Sequence, residues 1–337
     1  MATSQKKSNP FSPPKVPAGA CKFGWQYWNA LYQKFGTSGW YSEERWQLAA
    51  LHSKSSLNAL ARQVACGFKA AGRPAQVLVD SFWIDGTPQV QGHLPSGKKL
   101  AQCELADLLL IVEQRDMAGN LMIRTGMLLQ GKTVKRHDAL PSNPSTKKER
   151  LLLEGLCRAR PLSVYRDIKL TGHIGDYVFG VGTGLKDCAR YLMMPKKANW
   201  CPGCTPHEPL QIGWPKTRSS NSIAPMTSFV AAIQNLAIHG SVGRVIQDKS
   251  PSGACEWSRL VWDLLGGFKS GPMMGYGGQS RANRSNLMSF IASDYGDYPE
   301  VPPVPPPELA SARNAPPAIS VIQVSIRTPS IDRQPVD

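Results

Sequence analysis

The segment Asp107-Leu-Leu-Leu-Ile-Val112 sets a carboxylate at the head of an uninterrupted apolar run, and a second run, Leu121 to Lys132, closes in Gln130-Gly-Lys132. Apolar side chains at consecutive positions predict strands covered on both faces, in the middle of a sheet rather than at its edge. An acid and an amine at the ends of such strands lose their hydration, so something must compensate for each. Glu104 stands just ahead of the first run. Because alternate side chains of a strand share a face, Leu128, Gln130 and Lys132 are expected on one side, with Leu129 and Gly131 on the other. If Asp107 opens the neighbouring strand on that same side, carboxylate, carboxamide and ammonium meet at one point.

The elements around this pair follow from periodicity and punctuation. Ser42 followed by Glu43, Glu44 and Arg45 has the form of a helix start, a serine cap with acids in the first turn. Apolar residues then recur from Trp46 to Ala65, with a break expected near Ser53 to Ser56, until Gly67, Gly72 and Pro74 end the pattern. Three strands are predicted next, Gln76 to Asp85 (with a short extension at Pro88 to Gly92), Cys103 to Gln114 and Leu121 to Lys132, the last two joined by a turn at Asp116, Gly119 and Asn120. An amphipathic helix over Lys147 to Arg160 ends at Pro161, and strands are predicted over Ser163 to Leu170 and Asp176 to Val181. The order is helix, three strands, helix, strand, which is an α/β class. Further helices are predicted over Met226 to Ile238 and Glu256 to Leu265. The expected organisation is a flexible leader (1–20), an α/β domain (21–185), a mostly helical accessory region (186–270) and a Gly/Pro-rich flexible tail (271–337) containing Val301-Pro-Pro-Val-Pro-Pro-Pro307.

At 337 residues and 42% hydrophobic content the chain can bury a substantial core. Its formal charge of +15 and pI near 9.6 favour a polyanionic partner, since clustered Lys and Arg gain affinity by displacing phosphate counterions. A basic protein without such a ligand is the plain alternative. The excess is concentrated after the suspected site, where Lys132, Lys135, Arg136, Lys147, Lys148, Arg150, Arg158 and Arg160 face Asp138, Glu149 and Glu154. No stretch approaches the ~20 apolar residues of a membrane helix, and the start of the chain lacks the apolar centre of a secretion signal, so a cytoplasmic location is expected. Eight cysteines are too sparse for a disulfide scaffold.

An Asp oxygen and a Gln carbonyl are hard donors suited to Mg²⁺ (or Mn²⁺), and a nearby ammonium can orient or deprotonate a water, or offset charge on phosphoryl oxygens. On these residues the chain resembles the PD-(D/E)XK nuclease superfamily, the restriction-endonuclease-like fold. That family carries an acid on a first helix, an Asp at the start of one strand, and an acid or Gln, any residue, then Lys on the next. The matching positions are Glu43 or Glu44, with Glu44 preferred, then Asp107 within Glu104-Leu-Ala-Asp107, then Gln130-Gly-Lys132. The likeness covers roughly residues 40–182 and includes the element order. It implies a restriction-endonuclease-like core and a metal-dependent phosphodiesterase acting on DNA, in restriction, repair or phage defence, with a protein partner for targeting or restraint. Asp107, Glu104 and Gln130 would hold Mg²⁺, and Lys132 would serve as base or charge stabiliser. Gln130 departs from the Glu of many members. The competing readings are a strand-end salt bridge with no catalytic role, and a nucleic-acid or protein-binding module that keeps the fold.

Other signals are weaker. Trp200-Cys201-Pro-Gly-Cys204-Thr-Pro-His207 has the turn that sets two thiolates on one zinc ion, with His207 as a third ligand and Cys188, His173 or Cys255 as candidates for the fourth; two reduced cysteines in a turn are the alternative. Phe179-Gly-Val-Gly-Thr-Gly184 lacks the lysine of a phosphate loop and reads as a turn after a strand. His137 stands near Lys132, where a loop histidine is ordinarily solvated. The aromatic cluster from Trp25 to Trp46 has the spacing of core packing more than of base stacking.

Overall fold

The computed structural model describes residues 24, 25, 28, 29, 33, 43–52, 54–84, 88–196, 208–238, 242–248, 255–266, 288–292 and 319–329. Its elements are α1 (Glu43–Leu51), α2 (Lys54–Ala70), β1 (Gln76–Ile84), β2 (Gln89–Gln91), β3 (Cys103–Glu104), β4 (Leu108–Arg115), β5 (Leu121–Val134), α3 (Pro144–Gly155), β6 (Leu162–Tyr165), β7 (His173–Tyr177), β8 (Ala189–Pro195), β9 (Gln211–Pro215), β10 (Ile223–Ser228), α4 (Phe229–Ile238), β11 (Arg244–Val245), α5 (Glu256–Gly266), β12 (Met288–Ala292) and β13 (Ile319–Arg327). The α/β class is therefore present, as a mixed sheet with helices on its faces. The break expected in the first helical stretch separates α1 from α2. The α2 helix closes on Gly72, whose φ of +71° suits the left-handed turn, with Arg73 N–H bonded to the Phe68 carbonyl.

The larger sheet runs β10-β9-β8-β5-β4-β13-β1-β12, with β11 also paired to β5. Strands β4 and β5 are antiparallel neighbours, Leu108 opposite Leu129. Both are buried on both sides, as their unbroken apolar runs require. Leu108, Leu110, Val112, Met127 and Leu129 face a core shared with Leu48 and Leu51 of α1, the apolar stripe of α2, and Phe229 to Ala237 of α4. Leu109, Ile111 and Leu128 face a second core with Leu152 and Leu153 of α3, Trp257, Leu260 and Leu264 of α5, and Val90, Val164 and Tyr177 of a smaller sheet ordered β3-β2-β6-β7. Trp28, 1% exposed, lies in the first core, as the packing reading of the aromatic cluster expects. Tyr27, Tyr32, Phe35, Trp40 and Tyr41 lie outside the described residues, as do the leader (1–20) and Val301 to Pro307.

Three expectations are corrected. The predicted strand from Cys103 is two pieces: β3 pairs with β2 in the small sheet, and Asp107 begins a separate run in the large one. The segments read as later core strands, Ser163 to Leu170 and Asp176 to Val181, contribute β6 and β7 to the small sheet. The strand that follows α3 and lies parallel to β5 is β8, beyond the boundary drawn at residue 185. Most consequential is β13, inside the range read as a flexible tail. It is parallel to β4, antiparallel to β1, and buried along nearly its whole length. The accessory region and the tail thus supply strands to the same sheet as the site. No helix among the described residues is long and apolar enough to cross a membrane.

At the junction of α1 and α2, His52 is fully buried, and loss of hydration lowers its pKa to about 3 from 6.5. A histidine held neutral in the folded protein takes up its proton only on unfolding. Its share of stability is complete above pH 6.5 and is lost as pH falls towards 3. By pH 5 the loss amounts to about 2 kcal/mol. Urea unfolding of wild type and His52→Gln at pH 7 and pH 5 should show the wild type losing about that much more than the variant. Parallel losses would disprove the assignment.

Candidate functional site

The end of β5 next to Asp107 brings together side chains from four elements. Asp107 is fixed first by its backbone: its N–H donates to the Leu129 carbonyl, and its own carbonyl accepts from Ser320 N–H at 3.1 Å and Ser320 Oγ at 3.0 Å. The carboxylate oxygen Oδ2 then accepts from Gly131 N–H at 2.8 Å and from Gln130 Nε2. Asp107, Gln130 and Lys132 are respectively 8%, 2% and 4% exposed, so none is a solvated surface group. Of the three side chains expected together, Asp107 and Gln130 are in direct contact, and Lys132 is coupled to Asp107 through charge.

Lys132 carries its ammonium between helices from opposite faces of the sheet. Its Nζ is 3.5 Å from Glu44 Oε2 of α1 and 3.0 Å from Glu149 Oε2 of α3. Two contacts aim α1 at this point: Gln47 Nε2 donates to the Pro195 carbonyl at the end of β8, and Leu48 packs over Gly131. A Cβ on Gly131 would stand 2.9 Å from Met194 Cε and 3.5 Å from both Asp107 Oδ2 and Leu48 Cδ1, so a bare α-carbon lets helix and carboxylate close together. The α3 helix starts at Asn143, whose side chain accepts from Thr146 N–H at 2.8 Å, with Pro144 at the first helical position. Glu149 lies one turn further on and is held by Ser145 Oγ at 2.8 Å.

The electrostatics follow from burial. Loss of hydration raises the Asp107 pKa well above the ordinary carboxylate value, Glu44 adds to the shift, and Lys132 opposes it. Glu44 is raised for the same first reason, again against the pull of Lys132. Burial works against the charge of Lys132, but Glu44, Asp107 and Glu149 outweigh it, so the amine is held protonated. Three acids surround one ammonium, and Gln130 Oε1 is a buried carbonyl oxygen with no hydrogen-bond partner. Both features suit a hard cation. Among the described residues no group of three His, Cys, Asp or Glu side chains stands at ligand spacing, and Glu44 and Glu149 are each paired with Lys132.

Of the two helix acids, Glu44 is the one on Lys132. Glu104 sits on β3, and its charge is felt at Asp107. Glu149 was missed by sequence reasoning, which counted it merely against the basic excess. Its signal was available: three positions before Leu152 and four before Leu153, it lies on the apolar stripe of its helix, where an acid needs a partner. The basic excess is also partly internal. Arg150 holds Glu154 at 2.6 Å and the carbonyls of Arg218 and Ser220, and Arg158 holds Asp187 at 2.8 Å and the Phe179 carbonyl. Lys135, Lys147, Lys148 and Arg160 remain exposed.

The glycine run from Phe179 is a turn after β7, as expected. Gly184, at φ +72°, packs so closely on α3 that a Cβ would stand 2.7 Å from the Leu153 carbonyl. His137 lies in the turn after β5. Cys201, Cys204 and His207 lie outside the described residues. Of the proposed fourth zinc ligands, Cys188 is buried, His173 is paired with Asp176, and Cys255 is 3.1 Å from Ser258 Oγ. In comparisons with family models, curated proteins and solved structures, nothing matches this chain.

Proposed function

We propose that the protein is a metal-dependent phosphodiesterase acting on DNA, built on a restriction-endonuclease-like core. The observation that carries this reading is the convergence of Asp107, Gln130, Lys132 and Glu44 at one buried strand end, with the Gln130 carbonyl oxygen unpartnered. The order α1, β1, β4, β5, α3, β8 supports the core assignment, with β13 inserted between β1 and β4. A divalent ion such as Mg²⁺ or Mn²⁺ would be held by Asp107, Gln130 Oε1 and Glu44, with Glu104 close enough to add charge. When bound, it would supply a more acidic water and a polarised phosphorus centre. The ammonium of Lys132, kept charged by its three acids, offsets negative charge on the phosphoryl oxygens, which favours stabiliser over base as its role. Lys135, Lys147, Lys148 and Arg160 give the surrounding surface cations for the DNA backbone. Work in restriction, repair or phage defence, with a protein partner to restrain it, fits such an activity.

One observation favours a second reading, a nucleic-acid or protein-binding module. The site's charges are mutually engaged, Lys132 with Glu44 and Glu149, and Asp107 with Gln130 and Gly131. Supercoiled plasmid incubated with protein and Mg²⁺ or Mn²⁺ separates the two. The hydrolase reading expects nicking that falls by about 100-fold or more in Lys132→Ala and Asp107→Ala. Equal nicking by wild type and both variants would sink it. DNA binding that survives both substitutions, without cleavage in either metal, would establish the module.

A further inference from the structure

We infer that the two acids on Lys132 have different tasks: Glu149 is a positioning residue that fixes the lysine, and Glu44 is the acid left to face the cation. The first half rests on packing alone, and the second rests on the hydrolase reading above. The side chain of Glu149 is 8% exposed and that of Glu44 is 29% exposed, so the two acids stand on the closed and the open side of the ammonium. Glu149 is also the nearer, 3.0 Å against 3.5 Å. It is itself tied down, since Ser145 Oγ donates to Oε1 from one turn earlier on α3, leaving Oε2 for the lysine. Glu44 stands at the start of α1, its Oε2 3.5 Å from the ammonium.

The arrangement has a consequence for chemistry. An ammonium bound on one side by a fixed carboxylate keeps its position when the acid on the other side turns to a cation. Removing Glu149 therefore displaces the amine without removing a metal donor. Removing Glu44 takes a donor away and leaves the amine where it was.

Two measurements on the full chain decide this. The first is a melting cycle on wild type, Glu149→Gln, Lys132→Ala and the double variant, repeated with Glu44→Gln. Glu149→Gln should lower the melting temperature by several degrees in the wild-type background and by less than half as much in Lys132→Ala. Glu44→Gln should shift it less. Ser145→Ala, a milder loosening of the same carboxylate, should show the same background dependence at smaller size and serves if Glu149→Gln does not fold. Equal shifts in both backgrounds would overturn the anchoring role. The second is Mn²⁺ affinity by calorimetry. Glu44→Gln should weaken it by about 10-fold or more, and Glu149→Gln by less than about twofold. Equal weakening by both variants would make Glu149 a ligand and overturn the division. Absence of Mn²⁺ uptake by the wild type would overturn the metal reading together with the role of Glu44, while the melting cycle still decides the anchor.

Discussion

A chain ending at residue 317 should fail to fold: no cooperative thermal transition, and accumulation in the insoluble fraction on expression. The truncation removes β13 from the centre of the large sheet, where every residue from Ser320 to Arg327 pairs with β4 on one side and β1 on the other. Neither strand can close the gap by pairing with the other without carrying the helices packed on it. Loss of Val321, Ile322, Val324 and Ile326, all fully buried, strips apolar surface from both cores at once. At roughly 1.5–3 kcal/mol for each such side chain, these four alone match the whole stability of an ordinary domain. The site goes with the fold, because Ser320 supplies both bonds to the Asp107 carbonyl. A soluble truncated protein with an unchanged melting temperature would show that β13 does not occupy this place.

That strand also marks the boundary of what the residues disclose. Ile319 to Ile326 is rich in Val and Ile and by itself has the composition of a strand. The Pro-rich stretch before it, and its distance along the chain, favoured a tail. Composition reports that a segment can extend; it carries no record of which partner, roughly 200 residues earlier, will receive it. The site was more legible because its logic is local. Period-two alternation puts Gln130 beside Lys132, and burial of the flanking runs forces Asp107 to find donors near the strand end. Glu44 follows from helix-start chemistry. Glu149 did not follow, because its helix read as a cationic surface. Only packing shows that this helix lays an acid over Lys132 and uses Arg150 as an internal fastener, and that it ends at Gly155, before Arg158. The split between β3 and β4 was hidden for a similar reason: Cys103 to Gln114 is extended throughout, and the change of sheet at Leu105 and Ala106 is a matter of where neighbours lie.

Replacing Lys132 by Ala should lower stability by about 3–5 kcal/mol at pH 8, measured by chemical denaturation, because buried carboxylates lose the cation that balances them. The sign with pH is fixed by the acids. Burial already raises Asp107 and Glu44 above their ordinary values, and without the ammonium both rise further. A carboxylate raised in the folded state is destabilising where it would otherwise be ionised, and the deficit shrinks as falling pH protonates it. The variant should therefore approach wild type at pH 5. A divalent cation offers the same relief by another route. If Asp107, Glu44 and the Gln130 carbonyl take Mg²⁺ or Mn²⁺, millimolar metal should stabilise Lys132→Ala by more than it stabilises wild type, since the cation then supplies the missing charge as well as its own bonds. Lys132→Ala should thus be dead for cleavage yet responsive to metal in its unfolding curve. A variant as stable as wild type at pH 8 would mean that Lys132 balances nothing. A destabilised variant indifferent to both metals would leave the carboxylates as partners of the lysine and of no ion, which is the condition under which the binding-module reading prevails.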